Sequence, residues 1–115
     1  MTPGEDAALW ALEERFWREG AAESLDPACI MAFPPPTGLL SGSALGASLA
    51  AAPRWAAVTM TDRRAAHPAP GLAVLAYRAR GRRDGGPTYE AFCTSCYRAV
   101  AEGWRLVQHQ QTPVG

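Results

Sequence analysis

Apolar positions crowd the last third of the chain, in three runs covering residues 72–82, 89–100 and 104–111. Each run mixes β-branched or aromatic residues with small and polar ones. Two turn-like breaks separate them, Arg83-Asp84-Gly85-Gly86-Pro87 and Ala101-Glu102-Gly103. Asp-Gly-Gly is a strong hairpin signal, so the pattern predicts a three-stranded antiparallel meander. Residues 55–62 add a strand in which Val58 and Met60 share one face and Thr59 and Thr61 the other, and His67-Pro68-Ala69-Pro70-Gly71 reads as the turn into the meander.

The first half carries a different period. Thr2-Pro3-Gly4-Glu5 has the form of a helix start, with Thr2 as N-cap, Pro3 at the first helical position and Glu5 three residues after the cap. Leu9, Leu12 and Phe16 then recur at helical spacing, flanked by Trp10 and Trp17. Glu13, Glu14, Arg15, Arg18 and Glu19 occupy much of the remaining surface, and Gly20 marks the end. Residues 29–33 form a short strand that must stop or become an edge at Pro34-Pro35-Pro36, which has no backbone donors to give. A short helix over 44–52 follows Leu39-Leu40, capped by Ser41 or Ser43 and ended by Pro53; its narrow apolar stripe is Leu45 and Leu49. Helix, strand, helix and then four strands is an α+β order, with helices segregated to one face of an antiparallel sheet. The whole, residues 1–115, reads as one domain.

Composition narrows the function classes. The apolar fraction is 48% and the formal net charge is zero, which argues against disorder and gives a nucleic-acid partner no electrostatic support. All eleven basic residues are Arg, and Ala is abundant, so an Arg cluster such as Arg78, Arg80, Arg82 and Arg83 reads first as a solvated strand end beside a turn, with phosphate binding as the alternative. No run approaches the roughly 18 apolar residues of a membrane span, and the start of the chain, with Glu5 and Asp6, lacks the basic opening of a signal peptide. Three cysteines, an odd number, fit a reducing cytoplasm better than a disulfide framework.

The helix carrying Leu-Trp-Ala-Leu-Glu-Glu-Arg-Phe-Trp, the short strand ending near Pro, Gly38-Leu39-Leu40-Ser41-Gly42, the Thr94-Ser95-Cys96-Tyr97 strand and the closing Gly103-Trp104-Arg105-Leu106-Val107-Gln108-His109-Gln110-Gln111-Thr112-Pro113 together resemble the NTF2-like (nuclear transport factor 2-like) superfamily, in its DUF4440/SnoaL-like branch. The resemblance covers essentially the full chain. It implies a curved, cystatin-like half-cone sheet closed by the long N-terminal helix, a pocket inside the cone and usually a homodimer. It does not imply an activity, because members include isomerases, dehydratases, polyketide cyclases and binding modules. Many relatives carry two His on the last strand after the Trp; Gln108 and Gln110 stand at those positions here.

Strand register predicts which side chains face the pocket. With Ala101-Glu102 as a two-residue turn, Ala99 pairs with Trp104, Tyr97 with Leu106, Ser95 with Gln108 and Cys93 with Gln110. That set becomes the concave face. Arg98, Cys96, Thr94 and Phe92, with Arg105, Val107, His109 and Gln111, become the opposite face, which is too apolar to leave wet and fits a dimer contact. The two sets cannot mix unless a bulge intervenes, and a one-residue slip inverts them. The same alternation separates the sulfurs of Cys93-Thr94-Ser95-Cys96, so neither a redox nor a zinc role follows.

The expected ligand-binding residues are therefore Ser95, Tyr97, Gln108 and Gln110, with Phe16 and Met60 on the walls. No metal and no cofactor is expected. The leading function is binding of a small apolar molecule by a homodimer, without a nucleic acid or membrane partner. The rival is general acid–base catalysis by an isomerase, dehydratase or cyclase, for which His109 and Asp62 are the catalytic candidates. On this register His109 points away from the pocket.

Overall fold

The computed structural model describes residues 3–114, so the Thr2 cap lies outside the described residues. The first helix, α1 (Pro3–Glu19), ends at Gly20, whose N–H donates to the Phe16 carbonyl at 2.9 Å and whose φ of 79° suits a residue without a side chain. Three 3₁₀ residues, Ala22–Ser24, lead into β1 (Leu25–Ala32) and the short β2 (Leu39–Ser41). Helix α2 (Gly42–Ala51) precedes four long strands: β3 (Ala57–Ala69), β4 (Leu72–Arg82), β5 (Thr88–Val100) and β6 (Gly103–Pro113).

The meander forms at the predicted breaks, and β4 has the predicted bounds. Strand β3 differs. It runs through His67-Pro68, and the turn is confined to Pro70-Gly71. Bulges between Thr61 and Arg64 and between Ala66 and Ala69 absorb the irregular backbone, with Asp62 at a φ of 53°. The six strands form one curved sheet in the order β2-β1-β6-β5-β4-β3. It is mixed rather than wholly antiparallel, because β1 lies parallel to β6.

The layers are α+β, as expected: α1 lies across the concave face of the sheet. Its buried side is Leu9, Glu13, Phe16, Trp17 and Gly20, while Leu12 is only half-buried. Those positions follow i, i+4, i+7, i+8 and i+11, one continuous helical face. A carboxylate thus sits at the centre of a stripe expected to be apolar. The helix stripe packs on Met31, Leu75, Tyr77, Cys93, Tyr97 and Leu106 from the strands.

The β5–β6 register explains the site. Ala99 pairs with Trp104, Arg98 with Arg105 and Tyr97 with Leu106, as the turn dictates. A bulge then shifts the register between Cys96 and Tyr97, so that Cys96 pairs with Gln108 and Ser95 with His109. One inserted residue carries every later β6 side chain to the other face. A concave row now runs Met31, His109, Ser95, Leu75 across four strands, and the neighbouring outer row runs Ile30, Gln108, Cys96, Val74.

Candidate functional site

Glu13 sits where α1 crosses β4, β5 and β6, with no solvent exposure. An unpaired carboxylate there would cost several kcal/mol, so its partners decide whether the fold tolerates it. Three hydroxyls donate to it: Tyr77 at 2.5 Å, Ser95 at 2.5 Å and Tyr97 at 2.7 Å. The Trp17 indole N–H in turn donates to the Tyr77 hydroxyl at 2.8 Å. His109, also fully buried, places Nδ1 3.3 Å from Glu13 Oε2 and 2.7 Å from Ser95 Oγ. Among the described residues no buried side-chain nitrogen or oxygen lacks a partner.

Burial pushes the Glu13 carboxyl up. The hydrogen bonding and electrostatics of the facing His109 ring, with the Ser95 and Tyr77 hydroxyls, outweigh that and hold it below its ordinary value. Tyr77 and Tyr97 move the other way, because burial and then the adjacent Glu13 charge disfavour their phenolates. Glu13 is therefore the stable anion of the cluster, and the two tyrosines beside it stay protonated.

The donor pattern orders the protons around His109. The Tyr89 hydroxyl donates to Gln111 Oε1 at 3.0 Å, which turns the Gln111 amide nitrogen toward His109 Nε2 at 3.1 Å. Nε2 is then the acceptor and Nδ1 carries the proton, donated to Ser95 Oγ, whose own proton goes to Glu13. Phe16 and Phe33 pack against the ring at centroid distances of 4.7 and 5.9 Å.

Beside this cluster lies a cavity of about 460 Å³. Its walls include Phe16 and Trp17 from α1, Phe33 after β1, Leu49 from α2, Trp55 before β3, Tyr89 from β5 and Gln111 from β6. Trp55 stacks on Tyr89 with centroids 5.6 Å apart and planes 21° apart. Arg54 and Arg83 also line the cavity; no Asp or Glu does. Gln111 thus touches both the cavity and the buried cluster, and Tyr89 reaches the cluster through it.

The expected site residues fall in different places. Phe16 lines the cavity, whereas Ser95 and Tyr97 lie on the concave face but bind Glu13 behind it. Met60 is buried in the core and does not line the cavity. Gln108 and Gln110 are on the outer face, the reverse of expectation, because of the β5–β6 bulge. The same bulge turns His109 inward, again the reverse of expectation. Asp62 is exposed on the β3 bulge and paired with Arg64 at 2.5 Å, away from the cavity lining. Glu13 and Gln111 were not anticipated; the i, i+4 spacing from Leu9 was a usable signal for Glu13. Cys93 is buried on the concave face and Cys96 lies outside, both as free thiols. Among the described residues no group of three or more His, Cys, Asp and Glu converges as a metal site.

No family model and no curated protein matches the sequence. Solved structures do match. An NTF2-like protein from Cytophaga hutchinsonii aligns over 99% of this chain and 100% of its own, at 12% identity and a TM-score of 0.75. The fold is NTF2-like. A protein with a cystatin-like fold from Nostoc punctiforme aligns over 99% of this chain and 94% of its own, at 14% identity and a TM-score of 0.74. A putative Ca/calmodulin-dependent kinase II association domain from Exiguobacterium sibiricum aligns over 100% and 96%, at 15% identity and a TM-score of 0.73. Within this fold the Glu13–His109 cluster lies behind the part of the cavity wall formed by Gln111 and Tyr89. Among the described residues no helix is long and apolar enough to cross a membrane.

Proposed function

We propose that this protein binds a compact, largely apolar small molecule in the cone cavity and works as a homodimer. The cavity carries the reading: its volume, about 460 Å³, is in the range of small-molecule sites, and its walls are chiefly aromatic with a few polar groups. The outer sheet face exposes Ile30 and Phe92, with Leu39 on the short edge strand, and a second copy covering them accounts for apolar surface outside the core. That one similar structure is a putative kinase association domain supports an assembled state. The closing strand, from Gly103 to Pro113, also leads us to place the chain in the SnoaL-like branch.

A thermal scan of the purified protein against a metabolite library tests the binding reading. A ligand present at about a hundredfold its Kd adds about 2.7 kcal/mol, a shift on the order of 10 °C for a chain of this size. A library of several hundred apolar metabolites with no shift above 1–2 °C, roughly scan error, counts against it.

One observation favours a second reading. A buried carboxylate orienting a histidine whose Nε2 faces a cavity wall is the arrangement general bases use. Rotation of the Gln111 amide would open Nε2 to a cavity ligand, making the protein an acid–base enzyme of the isomerase, dehydratase or cyclase kind. Deuterium exchange into enolisable ketones in D₂O, present in wild type and absent in His109→Gln, would decide for catalysis.

A further inference from the structure

Two arginines at the cavity have no acidic partner among the described residues. Arg83, half-buried, holds its guanidinium carbon 3.8 Å from the Trp55 ring centroid and donates Nε–H to the Pro53 carbonyl at 3.1 Å. Its two terminal nitrogens have no acceptor among the described residues. Arg54 makes only a long contact, 3.4 Å from Nη1 to the Leu49 carbonyl. Among the described residues neither forms an ion pair; Arg63, Arg82 and Arg105 form none either, but they do not line this cavity, while Arg15, Arg18, Arg64, Arg78, Arg80 and Arg98 are all paired.

Both groups pack against glycines. A Cβ on Gly20 would stand 2.7 Å from Arg54 Nη1, so this exposed, flexible guanidinium lies directly over the glycine. A Cβ on Gly81 would stand 2.9 Å from Trp55 Cε3, so the indole that supports Arg83 is seated the same way. Arg54 reaches the cavity from the α2–β3 connection and Arg83 from the β4–β5 hairpin. Two positive charges therefore flank an aromatic chamber whose lining carries no negative charge. An apolar ligand alone would leave those guanidinium donors unused beside it.

We propose that the cavity takes an amphipathic anion: an aromatic or otherwise flat apolar body against Trp55, Tyr89, Phe33 and Phe16, with a carboxylate or phosphate head bound by Arg54 and Arg83. This rests on the cavity being a ligand site and names the ligand class. Guanidinium forks match both heads by paired, charge-assisted hydrogen bonds. Trp17 and Trp55 in the lining provide a fluorescence signal.

The test is titration of the full chain with 1-naphthoate, 1-naphthyl phosphate and uncharged 1-naphthamide, in wild type and in an Arg54→Gln/Arg83→Gln double variant. At low salt at least one anion should bind about tenfold more tightly than the amide, and its advantage should shrink as salt is raised. The double variant should lose that preference, and Arg83→Lys alone should retain part of it. A tighter naphthoate identifies the head as carboxylate; a tighter naphthyl phosphate identifies it as phosphate. An amide that binds as well as both anions, or a folded double variant that keeps the preference, overturns the anion site and leaves the pocket reading standing. Failure of all three probes to bind at millimolar concentration overturns both.

Discussion

Glu13 and His109 face each other across the helix–sheet interface, with Oε2 3.3 Å from Nδ1 and both side chains closed to solvent. Ser95 bridges them, donating to the carboxylate and accepting from the ring. One polar cluster therefore ties α1 to β4, β5 and β6. Its removal should disturb the packing of the helix as well as the chemistry of the cavity wall.

Glu13→Gln keeps the shape but removes the charge that three hydroxyls address. Replacing an acceptor-only carboxylate with an amide leaves an N–H₂ facing O–H donors, and we expect a loss of about 2–4 kcal/mol in urea unfolding. The loss should depend on pH. Because the folded-state value of Glu13 lies below its ordinary 4.5, the wild-type advantage is fully present above that value and disappears as pH falls through the folded value. Wild-type and variant stabilities should converge on acidification from pH 6. A gap constant down to pH 3 would show that the stabilisation does not depend on the carboxylate charge.

Phe16→Ala should cost about 3–5 kcal/mol, since Phe16 packs against the His109 ring and walls the cavity. Leu12→Ala should cost less, about 1–2 kcal/mol, because Leu12 is already half-exposed. Equal urea midpoints for the two variants would contradict this ordering.

The contrast between Leu12 and Glu13 shows how far local sequence reasoning reaches. The meander, the 72–82 strand and the two-residue turn at Ala101-Glu102 were legible because alternation and turn chemistry are local. Glu13 was not, since Glu-Glu-Arg on a helix resembles a solvated face, and only the partners on β4, β5 and β6 make its burial tolerable. No residue type announces the bulge between Cys96 and Tyr97, yet that one irregularity decides the faces of Gln108, His109 and Gln110. The parallel β1–β6 pair is equally silent, because it joins the two ends of the chain.

Gln111→Leu should weaken binding of 1-naphthoate several-fold, roughly, because it removes a polar wall group and strands the Tyr89 hydroxyl and His109 Nε2. Gln108→Leu, on the outer face, should leave that titration unchanged. Calorimetric titrations showing the opposite order would place the β6 register one residue away from that described here.

The thiols report on the outer face, and so on assembly. Burial pushes Cys29 up to about 11, and burial with the Glu13 charge pushes Cys93 up to about 12. Both lie within the core and should resist a disulfide reagent at pH 8. Cys96 is half-buried on the outer face, beside Gln108 and Val74 in the adjacent strands, and is raised less far by burial alone. In a monomer it should be the one thiol that reacts quickly. In a dimer closed over Ile30, Cys96 and Phe92 it should react slowly at high protein concentration and faster on dilution. Phe92→Glu should then yield a monomer by sedimentation and make Cys96 labelling independent of concentration. A wild-type chain that sediments as a monomer at micromolar concentration, with Cys96 fast throughout, would mean the apolar outer face serves some partner other than a second copy.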